Sequence, residues 1–281
     1  MNSIITFIVS SMTSFWLTLQ LAVVNLPSHF STVEVVHNAA YGTEPWQTAD
    51  IYIPKNADKK NLDVVIFFYG GRWTNGNKET YRFVGNRLAE ENFITVIPDY
   101  QKFPQVRFPA FVEDSAKAIN WVYDTIDKYH GDKTRITVMG HSAGGHIGAL
   151  LSTDERYLNR HDKKIHDIIH KFVGLAGPYA FTPDEPDLEA IFAPPNQYPQ
   201  MQAPTFVKGS EPPMLLLWGD KDTDVGKFNM ERLQTRIEEK KGKVRSIIYP
   251  GVDHIGMLAA FTWLDGKKQP IMQNILDYLR E

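Results

Sequence analysis

The sequence predicts an α/β protein, with a mostly parallel central sheet covered by helices on both faces. Three observations carry that prediction. Short continuous apolar runs, such as Leu62 to Tyr69 and Met214 to Trp218, have the composition of strands buried on both faces. Between them lie stretches with helical periodicity, such as Phe111 to Tyr129, where Ala116, Ile119, Val122 and Tyr123 share one face. The two kinds of segment alternate along the chain, as parallel strands joined by crossover helices require.

Composition narrows the function. The 281 residues suffice for one large domain with a substantial core. A net charge of −3 without a basic stripe is not the footprint of a nucleic-acid binder. The absence of cysteine excludes disulfides, a thiol nucleophile and Cys-ligated zinc.

Residues 4–26 carry no charged side chain and are mostly apolar, and the first Lys or Arg is Lys55. This predicts a signal peptide or membrane anchor over residues 1–30, hence an exported or membrane-anchored protein. A basic leading region and a clean cleavage site are missing, so a buried N-terminal helix is the alternative. Residues 31–281 form the predicted globular domain. Its expected strands are Val33 to Val36, Ala49 to Pro54, Leu62 to Tyr69, Phe93 to Pro98, Thr134 to Met139, Phe172 to Gly177, Met214 to Trp218 and Val244 to Tyr249. Its expected helices are Tyr81 to Glu91, Phe111 to Tyr129, one after the elbow starting in the run Ile147 to Leu151, Phe228 to Lys241 and Pro270 to Leu279. Residues 181–213 are proline-rich with little periodicity, the mark of a lid or pocket wall inserted into the domain.

The chemistry is expected beyond the carboxyl ends of the strands. The stretch Gly140-His141-Ser142-Ala143-Gly144-Gly145-His146 contains G-x-S-x-G between a β-rich run and an apolar helical run. That context is a nucleophile elbow, in which a strained turn lifts Ser142 Oγ over a helix N-terminus. There the amide of Ala143 can meet a developing oxyanion. Gly70-Gly71, after the long apolar strand, can turn free amides toward the same charge. Asp220, Asp222 and Asp224 alternate after the Met214 strand. They also suggest a calcium loop, but Val225 occupies the place where such a loop needs glycine. His254 follows the last strand and completes the chain order Ser, Asp, His. His166 and His170, at i and i+4 with His161 nearby, resemble a zinc helix but lack its adjacent Glu, and read as an exposed polar helix face. No metal and no cofactor are expected.

Together, Tyr69-Gly70-Gly71-Arg72-Trp73, Asn77-Lys78, Asp99-Tyr100, Phe108-Pro109, Glu113-Asp114, the elbow and Gly174-Leu175-Ala176-Gly177-Pro178-Tyr179 resemble an α/β-hydrolase of the carboxylesterase type. The pattern is similar to arylformamidase-like and hormone-sensitive-lipase-like esterases, over roughly residues 40 to 280. The resemblance implies Ser142 as nucleophile and His254 as base. It also implies Asp222 as orienter, because the family spacing Gly-x-x-Asp-x-x-Val falls on Gly219, Asp222 and Val225. The family has His where this chain has Tyr69. The tyrosine is expected to hold the oxyanion loop with its ring and hydroxyl.

The expected function is hydrolysis of small carboxylic esters, short-acyl or aromatic, through a Ser-His-Asp triad, with Gly70, Gly71 and Ala143 forming the oxyanion hole. Arg72, Trp73, Phe181 and Phe192 are the expected pocket residues. Arg72 is expected to point into solvent rather than meet an acidic substrate group. The alternatives are an arylformamidase or peptidase using the same residues, or a membrane-anchored binding protein without turnover. The expected partner is a small-molecule ester, with membrane association through residues 4–26. Nothing in the sequence specifies an oligomeric state.

Overall fold

In the computed structural model of the protein, residues 24–25, 31, 33–55, 61–192, 195–263 and 269–281 are described. Among them, eight strands form one sheet in the order β1-β2-β4-β3-β5-β6-β7-β8. The strands are β1 (Glu34–Ala40), β2 (Thr48–Ile53), β3 (Leu62–Phe68), β4 (Ile94–Pro98), β5 (Gly131–His141), β6 (Ile169–Leu175), β7 (Met214–Gly219) and β8 (Val244–Tyr249). β1 and β2 join antiparallel, as do β2 and β4, and every other pairing is parallel. The central strands are apolar on both faces because helices cover both. All of β4 and β7, and β3 from Val64 onward, are buried.

The principal helices are α1 (Arg82–Glu90), α2 (Ala110–Thr125), α3 (Ala143–Thr153), α4 (Pro186–Ile191), α5 (Phe228–Glu239) and α6 (Ile271–Arg280). α3 follows β5 directly and is buried along its whole length. That suits a helix carrying Gly144, Gly145 and Gly148, whose bare backbone lets it lie close on the sheet. The insertion is less irregular than its sequence suggests. It holds α4, with proline in its first turn, and the 3-10 turns Pro195–Met201 and Ala203–Phe206.

Two expectations need correction or delimiting. His166 and His170 do not share a helix face. The helical turn Ile165–Ile168 ends where β6 begins, and Ile169 pairs with Ile136 of β5. Pairing of the apolar run with a central strand overrides the local helical spacing. Of residues 4–26, only Val24 and Asn25 lie within the described structure, so the expected leader or anchor falls outside it. Asn25 Nδ2 donates to Thr80 O at 2.8 Å, and Phe83 N donates to Asn25 Oδ1 at 3.0 Å. Among the described residues, no helix is long and apolar enough to cross a membrane.

Candidate active site

Parallel pairing of β3, β5, β7 and β8 brings four strand ends to one edge of the sheet, and each carries a segment of the site. Ser142 lies between β5 and α3 with φ 54° and ψ −122°. This left-handed backbone is strained for a residue with a Cβ and persists only where its surroundings impose it. Ser142 N donates to Leu175 O at 2.9 Å. A Cβ on Gly140 would lie 2.3 Å from Gly144 O, and one on Gly144 would lie 2.0 Å from Phe68 O. The two glycines of G-x-S-x-G therefore permit contacts that other residues would block. Ala143 is the first helical residue, so its amide has no partner within the helix.

The three acidic residues after β7 separate by environment. Asp222 is buried, and its Oδ2 lies 2.8 Å from His254 Nδ1. Its Oδ1 accepts from Asp224 N at 2.9 Å and Val225 N at 2.8 Å. Burial alone would raise its pKa. The bonds from His254 and the two amides outweigh burial and hold the carboxyl below its ordinary value. Asp220 and Asp224 are exposed, and Asp220 Oδ1 accepts from Gly251 N in the loop that leads to His254. A Cβ on Gly219 would lie 2.1 Å from Val252 O. Only glycine lets the loops after β7 and β8 approach closely enough for Asp222 to reach the imidazole. Among the described residues, no group of three or more acidic or histidine side chains could hold a metal ion.

The loop after β3 closes the opposite side. Gly70 abuts the elbow: a Cβ there would lie 3.0 Å from both Ser142 Cβ and His141 Nδ1. Gly71 has φ 135°, and a Cβ on it would lie 2.2 Å from Asn75 O. Arg72 and Trp73 follow with φ 54° and 58°. Below the loop, Tyr69 is fully buried and stacks between Tyr81 and Tyr100 at centroid distances of 5.3 and 4.7 Å. Its hydroxyl donates to Asp99 Oδ1 at 2.7 Å and accepts from Lys102 Nζ at 2.9 Å. Tyr100 OH donates to Tyr69 O at 2.7 Å, and Lys78 Nζ donates to Asp99 Oδ2 at 3.1 Å. Ring and hydroxyl thus both fix the strand end that carries the glycines.

Of the expected pocket residues, Trp73, Phe181 and Phe192 pack against one another. Trp73 stacks on Phe181 at 5.5 Å and meets Phe192 edge-on at 4.8 Å. Arg72 is exposed to solvent, as expected, but it is paired there and offers no free charge to the pocket. Its Nε and Nη2 hold Asp187 at 2.9 and 3.1 Å, and Nη2 also holds Glu185 at 2.7 Å. Two carboxylates at the start of α4, 113 and 115 residues away in sequence, capture the guanidinium.

Three further groups belong to the site. His146, one turn after Ser142, is bonded through Nε2 to Met201 O at 2.7 Å and meets Trp73 edge-on at 5.3 Å. It ties the elbow helix to the insertion. His141 Nε2 lies 3.0 Å from His254 O. Burial drives both imidazoles toward the neutral form, pushing His141 down to about 3 and His146 down to about 4. Lys102, bonded to Tyr69, is held below its ordinary value, chiefly by burial. For Asp99 the motif gave a signal. His141, His146 and Lys102 had none, because His254, Met201 and the Tyr69 hydroxyl are distant from them in the chain.

Comparisons with known proteins agree with this architecture. A family model described as BD-FAE matches residues 49–183. The isoprenylcysteine alpha-carbonyl methylesterase ICME of Arabidopsis thaliana is 34% identical over 155 residues, covering 54% of this chain and 36% of that protein. Esterase LipC of Mycobacterium tuberculosis is 28% identical over 250 residues, covering 81% of this chain and 60% of that protein. Esterase B from Lactobacillus Rhamnosis superposes with a TM-score of 0.77 at 17% identity, covering 100% of this chain and 95% of that one. The chain spans little more than a third of the length of the plant methylesterase. The fold is therefore the α/β-hydrolase fold, an eight-stranded, mostly parallel sheet with covering helices, shared with the esterase B structure.

Proposed function

We propose that the protein hydrolyses carboxylic esters through Ser142, His254 and Asp222. The observation that carries this reading is the 2.8 Å bond from Asp222 to His254 Nδ1 beside a strained serine at a helix N-terminus. Asp222 selects the tautomer with its proton on Nδ1 and leaves Nε2 as the basic nitrogen. Ser142 Oγ attacks the ester carbonyl and His254 Nε2 takes its proton. The amides of Ala143 and the Gly70-Gly71 loop receive the oxyanion. His254 then protonates the departing alkoxide. Water, deprotonated by the same nitrogen, attacks the acyl-enzyme and releases the acid. Asp222 stabilises the imidazolium in both halves without itself taking the proton.

The substrates we propose are short-acyl or aromatic esters. Trp73, Phe181 and Phe192 make a fixed aromatic wall, each no more than 9% exposed, and prolines restrict the insertion that carries two of them. The test is kcat/KM for full-length protein on acetyl, butyryl, octanoyl and palmitoyl esters. Methyl esters belong in the panel because the plant relative is named a methylesterase, and N-formylkynurenine tests the formamide alternative. A maximum at acetyl or butyryl is expected. A maximum at octanoyl or longer overturns the fixed wall, and a formamide rate above every ester moves the substrate class. We further propose that residues 4–26 direct export or membrane anchoring. Uncleaved full-length protein found only in the soluble cytoplasmic fraction overturns that.

A further inference from the structure

We propose that His141, the residue before the nucleophile, is a positioning residue that holds His254 within reach of Ser142. The inference rests on the serine-hydrolase reading above and adds to it a residue outside the triad. Among the described residues, Ser142 Oγ and His254 share no hydrogen bond. Between residues 140–146 and residues 250–260, the bond from His141 Nε2 to His254 O, 3.0 Å long, is the one hydrogen bond that joins elbow to base loop. The other anchors of that loop face the end of β7 or the segment before α6: Gly251 N donates to Asp220 Oδ1, Lys221 N donates to Val252 O, and Gln269 Nε2 donates to Pro250 O. Asp222 fixes the imidazole from the β7 side as well. Without His141, the base would be aligned to Asp222 with no hydrogen bond aligning it to the serine.

The chemistry of His141 suits that role. A carbonyl only accepts, so Nε2 must carry the proton and Nδ1 must be bare. Nδ1 has no hydrogen-bond partner and faces Gly70, where a Cβ would come within 3.0 Å. The ring is therefore lodged between the base loop and the oxyanion loop. Its centroid lies 4.7 Å from that of His254, with the planes tilted by 42°. Burial keeps it neutral, so it remains a single donor of constant charge while His254 cycles its proton. One side chain on the elbow thus touches both segments that must register with Ser142.

The test exploits the position of the donor nitrogen. Gln places its amide nitrogen near the site of Nε2, Asn places it near Nδ1, and Leu fills the space without a donor. The readout is the labelling rate of Ser142 by a fluorophosphonate. Oγ forms the bond to phosphorus, fluoride leaves, and His254 takes the serine proton. Steady-state kcat and KM for a short ester are measured alongside. His141→Gln should keep the wild-type rate to within about threefold, whereas His141→Asn and His141→Leu should fall roughly 10- to 100-fold in labelling and kcat with KM little changed, the cost of misplacing a reacting group. If His141→Leu does not fold, the comparison of Gln with Asn decides. Labelling of Leu or Asn at the wild-type rate overturns the inference and leaves the serine-hydrolase reading standing. Equal slowing of Gln and Asn, at unchanged melting temperature, overturns the hydrogen-bond account. Failure of the wild-type protein to label at all overturns the functional reading and the inference with it.

Discussion

The two sides of the site are held by different physics. On the base side, Asp222, His254 and His141 are buried, and main-chain groups supply most of their partners. On the oxyanion side, Gly70 to Trp73 is held from below by the Tyr69, Tyr81 and Tyr100 stack, and from the flank by Trp73 packing. From outside, the half-exposed Arg72 reaches two carboxylates. Buried hydrogen bonds are costly to leave unmade and insensitive to salt, whereas exposed ion pairs are worth about 1 kcal/mol or less and are screened. The base side is therefore built for fixed alignment. The oxyanion side is coupled to an insertion whose docking has an ionic component.

The contrast can be broken first where the chemistry is concentrated. Ser142→Ala should lower kcat on the order of 10⁶-fold while the melting temperature barely changes. Substantial residual turnover would falsify the nucleophile assignment. Asp222→Asn should cost roughly 10⁴-fold in kcat, because an amide permits the wrong tautomer. Asp220→Asn and Asp224→Asn should each cost less than about tenfold, since neither touches the imidazole. A loss of equal size in either would reassign the orienting residue.

Next in size is the pH dependence of stability. His141 and His146 have folded-state values lowered from 6.5 to about 3 and about 4. The unfolded chain then binds more protons than the native one between those values and 6.5. The stability they confer is complete above 6.5 and is lost as pH falls through that window, at about 1.4 kcal/mol per pH unit for each group. Asp222, lowered from 3.8, adds its own loss only below that value. Chemical denaturation at pH 7, 6 and 5 should show the first loss. Replacing His146 by Leu should flatten the curve, and an unchanged slope would contradict the buried neutral state.

The smallest expected effect sharpens the comparison most. Arg72→Ala should cost ~1 kcal/mol or less in stability and lower kcat/KM by a few-fold, and the wild-type protein should lose part of the same activity at high salt. The charge swap Arg72→Glu with Asp187→Arg should recover what Arg72→Glu alone loses. The base-side variants should show no such salt dependence. If the swap restores nothing, the ion pair is a bystander on the surface.

The sheet was legible because its signals are local. Continuous apolar runs, helical periodicity and glycine turns each lie within about ten residues, and the structure reproduces the strands to within a few positions. The limit appears at His170, where the i, i+4 spacing suggested a helix but pairing of Ile169 with Ile136 drew the segment into β6. At the site, the G-x-S-x-G pattern could be read from one heptapeptide. The choice among Asp220, Asp222 and Asp224 could not be read from their alternation. It needed either a family spacing or the fold itself, in which one of the three is buried against the imidazole.

By itself, the sequence determined the fold class, the strand-turn-helix setting of Ser142 and the chain order of Ser142, Asp222 and His254, since each is written in short-range pattern. Tertiary structure alone decided what those residues lean on. Arg72 meets Asp187 and Glu185 because α4 is carried across the loop after β3. His146 meets Met201 because the insertion folds back over α3. His141 meets His254 O because β5 and β8 end at the same edge of the sheet. Contacts between residues 55 to 115 positions apart leave no periodic trace in either segment. They are fixed only when strand order brings the segments together, and the close approach of glycine backbones then selects which side chains touch.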